Sequence, residues 1–436
     1  PCAEPRQLFG PITPLAWADA PLFRGAFRTL LHLGRNCAYA ARMERDYTKI
    51  APEDAPWLTS VSARAVCDAI AAGGHQIFYV GGCVRNALLG VPVSDLDMAT
   101  SATPQQVIEL ASDAGLKPVP TGIDHGTITV VSGGVGYEVT TFRRDVETDG
   151  RRAVVAFSTD ILDDARRRDF TMNALYADAQ GNVIDPLGGL DDLRARRVRF
   201  IEDANRRIEE DYLRILRYFR FHAWYGDTSN GLEPEALAAI GSNIQGLETL
   251  SAERVGAEMK KLWAADDPST ALAAMAQTNV LGTVLPGADI RFALLVIHGA
   301  EMLGLSPDWL GRLVSLGGER VPERLRLSKA DQSRYETIQT AAFEGGSLVA
   351  VAFDYDSDLA IQAYLIRSAI AESVPELAVI AELRSAAQQV FPVSAADLMP
   401  EYTGADLGAR LAQLKAAWIA SGFVLGKEAL IALPAP

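Results

Sequence analysis

The sequence predicts an α+β chain: a head with a mixed sheet, ending near residue 195, followed by helices to the C-terminus. Three observations carry this. Short apolar runs of strand length alternate with helical patterns up to residue 141, and "GTITVVSGGVGYEVTTF" reads as a hairpin, two alternating runs around a glycine-rich turn. Beyond residue 195 alternation fades, and stretches such as "EEDYLRILRYFRFHAWYG" and "SAERVGAEMKKLWAA" have helical spacing and length. At 436 residues the chain also exceeds the ~250–300 that one hydrophobic core organises, so several units are expected.

In order, the patterns predict a helix over 60–72, a strand over 76–80, a helix over 83–89, a strand over 95–100, a helix from "TPQQVIELASDAG" and then the hairpin. The chain is 49% hydrophobic and 22% charged, with no apolar run near the ~18 residues of a spanning helix, so no membrane association is expected. A net charge of -14 argues against broad adhesion to nucleic acid; such a partner needs local basic surface. Residues 143–220 supply it, with sixteen arginines against sixteen acids, whereas from Asp331 onward six basic residues face thirteen acidic ones and the tail is an acidic helical region.

Cys2, Cys37, Cys67 and Cys83 lack CxxC spacing, which argues against a zinc site or a disulfide framework and points to a reducing compartment, the cytoplasm. Residues 1–55 read as an extension that need not be native. Its first 42 residues carry five arginines against two acids, but no serine and several prolines, which fits a transit peptide poorly; translation from Met43 is an equal alternative.

The chemistry gathers at "FYVGGCVRNALLG" and "PVSDLDMAT". Two glycines between a strand and a helix let a phosphate reach backbone N–H groups and the positive helix end, although a GG pair alone also makes a plain tight turn. Asp95 and Asp97, one residue apart in the expected strand, fall on one face by alternation, and two such carboxylates call for a cation. Mg²⁺ suits carboxylates shared with phosphate oxygens; a solvated edge-strand pair is the alternative. Arg85, one helical turn past the glycines, is placed to clamp a triphosphate. In "ARRRDFTMNALYADAQGNVIDPLGGLDDLRARRVRFI", Arg167 and Arg168 precede Asp169 at the head of an expected helix. They read either as a solvated face or as charge partners for phosphoryl transfer.

Together "GGCVRNALLG...SDLDMAT", "RRRDFTMNALYAD", "DPLGGLDDLRARRVRFI", "EEDYLRILRYFRF" and "SAERVGAEMKKLW" resemble, in order and spacing, the motifs of class II tRNA nucleotidyltransferases, the CCA-adding enzymes, a pattern that bacterial poly(A) polymerases share. The resemblance covers roughly residues 75–265. Asn86 departs from it, standing where the family usually has aspartate. It implies a nucleotidyltransferase (polymerase-beta-like) head over 56–195, a base-selecting helical neck over 196–265, and a helical body and tail over 266–436 that bind tRNA. It further implies template-independent addition of C, C and A to the tRNA 3′ end from CTP and ATP. Asp95 and Asp97 would be catalytic and hold Mg²⁺, while Gly82, Arg85, Arg168, Asp211, Arg214, Arg217 and Arg220 would bind the nucleotide. A poly(A) polymerase, a CC-adding enzyme and a non-catalytic tRNA-binding protein remain alternatives. Glu138, in "YEVTTF", reads as a third carboxylate or as an ordinary strand acid.

Asp211, Arg214, Arg217 and Arg220 recur every three residues of an expected helix. Each step falls back about 60°, so neighbours touch, while Asp211 and Arg220 end on opposite sides. Leu213, Ile215, Leu216, Phe219 and Phe221 make that helix apolar over most of its surface, so it is expected to be buried and its arginines partnered, a salt-bridged stripe being the structural alternative. Asp211 only accepts hydrogen bonds and Arg214 only donates. Cytosine and adenine each present an amino donor beside a ring-nitrogen acceptor, whereas uracil and guanine present the reverse, so this pair admits C and A. The charged segment 143–159, with Gly150 near its centre and no sustained period, is expected to be mobile in its first half. The resemblance makes it the lever for the switch from C to A addition, with Ala153 where a proline is common; a plain surface loop is the alternative.

Overall fold

The computed structural model describes residues 47–148 and 153–434. The extension up to residue 46, with Cys2 and Cys37, and the "DGRR" tip at 149–152 lie outside the described residues. The described residues up to Pro286 form one compact unit and those from Gly287 a second.

The first unit is built on a seven-stranded mixed sheet. Its strands are β1 (Ile77–Val80), β2 (Asp97–Thr100), β3 (Lys117–Gly122), β4 (Thr127–Ser132), β5 (Val135–Thr141), β8 (Tyr176–Ala177) and β9 (Val183–Ile184), in the order β3-β4-β5-β2-β1-β8-β9. Only β2 and β5 pair in parallel; the other neighbours are antiparallel. The expected hairpin is β4–β5, turning at Gly133 and Gly134, both at positive φ. Helix α1 (Val61–Ala72) starts at Ser60, whose hydroxyl accepts from Ala63 N–H, and buries Ala63, Val66, Cys67 and Ile70. Helix α2 (Gly82–Leu89) follows β1, and α3 (Pro104–Asp113) opens with a capping box between Thr103 and Gln106. Val80, Ala99, Phe142, Ala165, Ala174, Tyr176 and Ile201 form a core beneath the sheet, joining its central strands to the segment that carries the arginine motif.

Four sequence expectations change. Asp95 lies outside a strand: β1 ends at Val80 and turns away at Gly81, so residues before Asp97 have no partner on that side, and alternation cannot set the relation of Asp95 to Asp97. Arg167 and Arg168 follow α4 (Ile161–Arg166) rather than heading a helix; beyond Asp169 there is only a 3₁₀ turn, Thr171–Asn173. Residues 143–148 are strand β6, paired with β7 (Ala153–Phe157), and a register shift between Asp145 and Glu147 explains why no alternation shows in the sequence. The supposed single helix around Asp211 is two. Helix α5 (Gly189–Arg194) precedes them, α6 (Ala204–Glu210) ends at Asp211 with φ -158°, and α7 (Leu213–Tyr225) begins after it. Asp211 breaks the helix because its carboxylate accepts from Leu213 N–H (3.1 Å), a local bond that competes with helical continuation.

Helices α8 (Pro234–Ser242), α9 (Ala252–Trp263), α10 (Ser269–Gln277) and α11 (Val280–Val284) complete the first unit. As expected, α7 buries Leu213, Ile215, Leu216, Phe219 and Phe221. The second unit is all helical. Helix Ser357–Ile370 buries Leu359, Ile361, Leu365 and Ile366, and helix Trp309–Leu316, buried over nearly its whole length, lies so close that a Cβ on Gly311 would strike Gln362. Trp418, Leu414, Leu398 and Leu430 form a separate small core. Among the described residues no helix is long and apolar enough to cross a membrane.

Candidate active site

Strand β1 delivers the chain to Gly81, whose φ of 71° suits glycine and where a Cβ would come within 3.3 Å of Arg168 Nη1. At Gly82 the nearest atom to a Cβ would be Arg85 Nη2, at 3.9 Å. Nothing in the chain forbids a side chain there. What its lack leaves is open approach to the first N–H groups of α2, which have no helical partner and sit at the positive end of the helix dipole.

Arg168 overhangs this turn. Its Nε donates to Asp164 Oδ2 (3.3 Å) and to the Tyr176 hydroxyl (3.2 Å), its Nη2 donates to Asp164 (2.9 Å), and Tyr176 donates to the same carboxylate (2.8 Å). Burial alone would raise the Asp164 carboxyl, but Arg168 and Tyr176 outweigh it and hold the group below the ordinary range. The guanidinium is thus fixed from behind with Nη1 at the glycines.

Across the turn, Asp97 opens β2, and Glu138 on β5 stands level with it in the parallel register. The Asp97 carboxyl is held above the ordinary range, first by desolvation and next by Glu138; Arg168 opposes the rise and Asp95 adds to it. The site therefore concentrates negative charge that a cation would relieve, and its donors are all hard oxygens, the set Mg²⁺ prefers. Among the described residues no three His, Cys, Asp or Glu side chains converge into a ready-made cage. Asp95 and Asp97 fit a metal completed by a substrate's phosphate oxygens.

Arg85 points the other way, into the protein. It is 5% exposed; Nη1 donates to Asn173 Oδ1 (2.5 Å), Nε and Nη2 to Asn86 Oδ1 (3.2 and 2.8 Å), and Nη2 to the Tyr225 hydroxyl (2.8 Å). Its guanidinium lies over the Tyr225 ring at 4.0 Å and the Phe221 ring at 5.1 Å. Burial lowers its pKa, and no carboxylate is among its hydrogen-bond partners. An anion near Gly82 would offset that charge.

Of the remaining candidates, Asp211, Arg217 and Arg220 form a ladder to α9, while Arg214 bonds to α6 and to the head. Arg254 Nη2 donates to Asp211 Oδ2 (2.7 Å). Glu258 accepts from Arg220 Nε (2.5 Å) and faces Arg217 Nη1 (3.7 Å), while Arg217 donates through Nε to Asp169 (2.7 Å). Asp169 would be raised by burial, but Arg217 and Asn173 pull it well below the carboxylate range. Arg214 Nη1 donates to Glu210 Oε2 (2.6 Å) and to the Arg207 carbonyl (2.6 Å), and Nη2 to the Arg167 carbonyl (3.1 Å). Asp211 and Arg214 thus flank the break between α6 and α7, next to the arginine motif of the head.

The structure brings Gly82, Asp97 and Arg168 together and places Asp211, Arg217 and Arg220 along the seam with α9, with Arg214 bonded to α6 and the head. Arg254, Glu258, Asp164 and Asp169, which fix them, had no assigned role in the sequence. For Arg254 and Glu258 the spacing of four behind Ser251, whose side chain caps α9, sets both on one helix face but names no partner. A cavity of about 660 Å³ in the second unit, lined among others by Asp354, Lys415 and Phe423, carries no comparable chemistry, since Lys415 is bonded to Asp354 (2.7 Å).

The family model described as "Poly A polymerase head domain" matches residues 77–199, and one described as "Probable RNA and SrmB- binding site of polymerase A" matches 231–291. The chain is 32% identical to the human protein named CCA tRNA nucleotidyltransferase 1, mitochondrial, over 82% of this chain and 86% of that one. It is 42% identical to a CCA-adding enzyme of Oceanobacillus iheyensis over 49% of this chain and 52% of the other. Among solved structures, the Bacillus stearothermophilus CCA-adding enzyme in complex with CTP superposes with a TM-score of 0.67 at 27% identity, covering 83% of this chain and 92% of that one. The Thermotoga maritima CCA-adding enzyme complexed with tRNA-CCA shares the fold, with a TM-score of 0.62 at 18% identity, over 89% of this chain and 96% of that one.

Proposed function

The chain belongs to the CCA-adding tRNA nucleotidyltransferases, and from that premise we propose that it adds C, C and A to the 3′ end of tRNA from CTP and ATP, releasing pyrophosphate and using no nucleic-acid template. The observation that carries the reading is the meeting of Arg168, Asp97 and the Gly81–Gly82 turn on a chain similar over most of its length to named CCA-adding enzymes.

The head, 56–195, supplies the chemistry. The N–H groups at the start of α2 and Arg168 Nη1 bind the triphosphate, and Arg85 adds positive potential from beneath. Asp95 and Asp97 would hold Mg²⁺, with Glu138 adding to the negative field at Asp97. A metal held there would supply activation of the terminal 3′-hydroxyl and charge neutralisation of the leaving pyrophosphate. The attacking oxygen forms a bond to the α-phosphorus as the bond to the β-phosphate oxygen breaks, and the chain's share is alignment and charge.

The neck, 196–265, selects the base. Asp211 accepts from the amino group that cytosine and adenine share, and Arg214 donates to the adjacent ring nitrogen; uracil or guanine would set acceptor against acceptor and donor against donor. Arg217 and Arg220, pinned by Asp169 and Glu258, stiffen that surface. The helical body and tail, 266–436, take up the tRNA. The location we propose is a reducing compartment, the cytoplasm, in keeping with the buried free thiols Cys67 and Cys83; fractionation separates it from the mitochondrial location named for the animal relatives.

Single-nucleotide assays test the proposal. A tRNA transcript lacking its last three nucleotides gains two residues from CTP alone, and one ending in CC gains one residue from ATP alone. A long homopolymer from ATP alone identifies a poly(A) polymerase, and no incorporation at all identifies a binding protein.

A further inference from the structure

We propose that Trp224 is a stacking platform for an unpaired base at the 3′ end of the acceptor RNA, an inference that rests on the reading of the chain as a CCA-adding enzyme. Every other large apolar residue of α7 is buried, from Leu213 to Tyr225, but Trp224 is 46% exposed. It is not loose. Its indole N–H donates to the Lys261 carbonyl (2.7 Å), one of the last carbonyls of α9, which lack helical partners.

This bond is the last rung of the ladder. Asp211 meets Arg254, Arg217 and Arg220 meet Glu258, and Trp224 meets Lys261, so α7 and α9 run side by side in the same direction. Seven residues are nearly two turns, so Trp224 stands within about 20° of Arg217 and about 10 Å further along the axis. Stacked nucleotides rise about 3.4 Å each, so a strand a few nucleotides long reaches from the base-selecting residues to the indole.

The surroundings suit RNA. Lys260 and Lys261, both exposed, lie in the last turn of α9, the end to which the indole is bonded, and bring positive charge to it. The acids that follow, Asp266 and Asp267, lie past the helix end, and Asp267 is engaged by Ser269 N–H (3.0 Å). A half-exposed indole held by a hydrogen bond at a basic helix end has the parts by which proteins hold single strands without reading sequence. It fits a 3′ end that changes composition at every step.

Two substitutions separate stacking from mere capping of α9. Trp224→Phe and Trp224→Leu both remove the hydrogen bond to Lys261, but only phenylalanine keeps an aromatic face. We measure the Kd of a fluorescently labelled tRNA transcript lacking CCA by anisotropy, together with KM for the transcript, CTP and ATP. The platform predicts that Trp224→Leu weakens transcript binding and raises its KM roughly tenfold, that Trp224→Phe stays within about twofold of wild type, and that KM for CTP and ATP is unchanged in both. Equal losses in the two variants, no loss in either, or a parallel rise in the nucleotide KM overturns it. Binding does not require turnover, so a wild-type protein that binds the transcript without extending it sinks the functional reading alone, while the Kd values still decide the platform.

Discussion

Arg254 Nη2 donates to Asp211 Oδ2 at 2.7 Å, so the carboxylate that ends α6 is held in place by a guanidinium from α9. Asp211 is therefore a fixed acceptor at a helix break rather than one residue in a turning stripe. Replacing Asp211 or Arg214 by alanine should relax discrimination against UTP and GTP by roughly tenfold or more, the scale of leaving a buried polar group unpaired, while slowing CTP incorporation less. Arg254→Ala should show the same trend more weakly, because it frees the carboxylate without removing it. Competition assays with paired nucleotides measure this; an unchanged preference would make the pair structural.

Asp95→Asn and Asp97→Asn should each lower incorporation of both C and A by at least about a thousandfold, because the charge that binds the metal is lost in every cycle. Circular dichroism should remain that of the wild type, since neither residue belongs to the hydrophobic core. Normal turnover in either variant would remove the two-carboxylate assignment.

His222, buried near the end of α7, should make stability fall with acid. Burial lowers its imidazole from the ordinary 6.5 to about 4, with Asp227 opposing. The unfolded chain takes up the proton first, so the contribution is complete above about pH 6.5 and is lost on descending to about pH 4, about 3 kcal/mol in all. The urea midpoint of wild type should drop more between about pH 7 and about pH 5 than that of His222→Gln. An equal drop would assign the acid sensitivity to other groups.

Residues 146–152 are the proposed lever for the change from C to A. Its first three residues belong to β6, which pairs with β7, and 149–152 lie outside the described residues. Its deletion should leave addition of two cytidines intact and stall before adenosine. A deletion variant that completes CCA at the wild-type rate would reduce the hairpin to surface structure.

Much of the head was legible because local signals and tertiary pairing agree there: the glycine turn, the capped helices α1 and α3, and the β4–β5 hairpin follow from periodicity and turn chemistry. Misreadings arose where a single side chain or a missing partner overrides the pattern. Asp211 satisfies Leu213 N–H and splits a helix that periodicity made continuous. Asp95 lost its strand because β1 turns away at Gly81, a fact about pairing that no local window contains. The acids that aim the arginines could not be assigned either. Asp169 and Glu258 reach Arg217 and Arg220 across 48 and 38 residues, and spacing within one motif says nothing about such pairs.

The most direct measurement is the sequence of the tail added to a tRNA transcript lacking its 3′ CCA when CTP and ATP are both present. The account predicts that the product is extended by C, C and A, in that order, and that addition then stops. A tail of adenosines, a product halted after two cytidines, or a transcript returned unextended would contradict it.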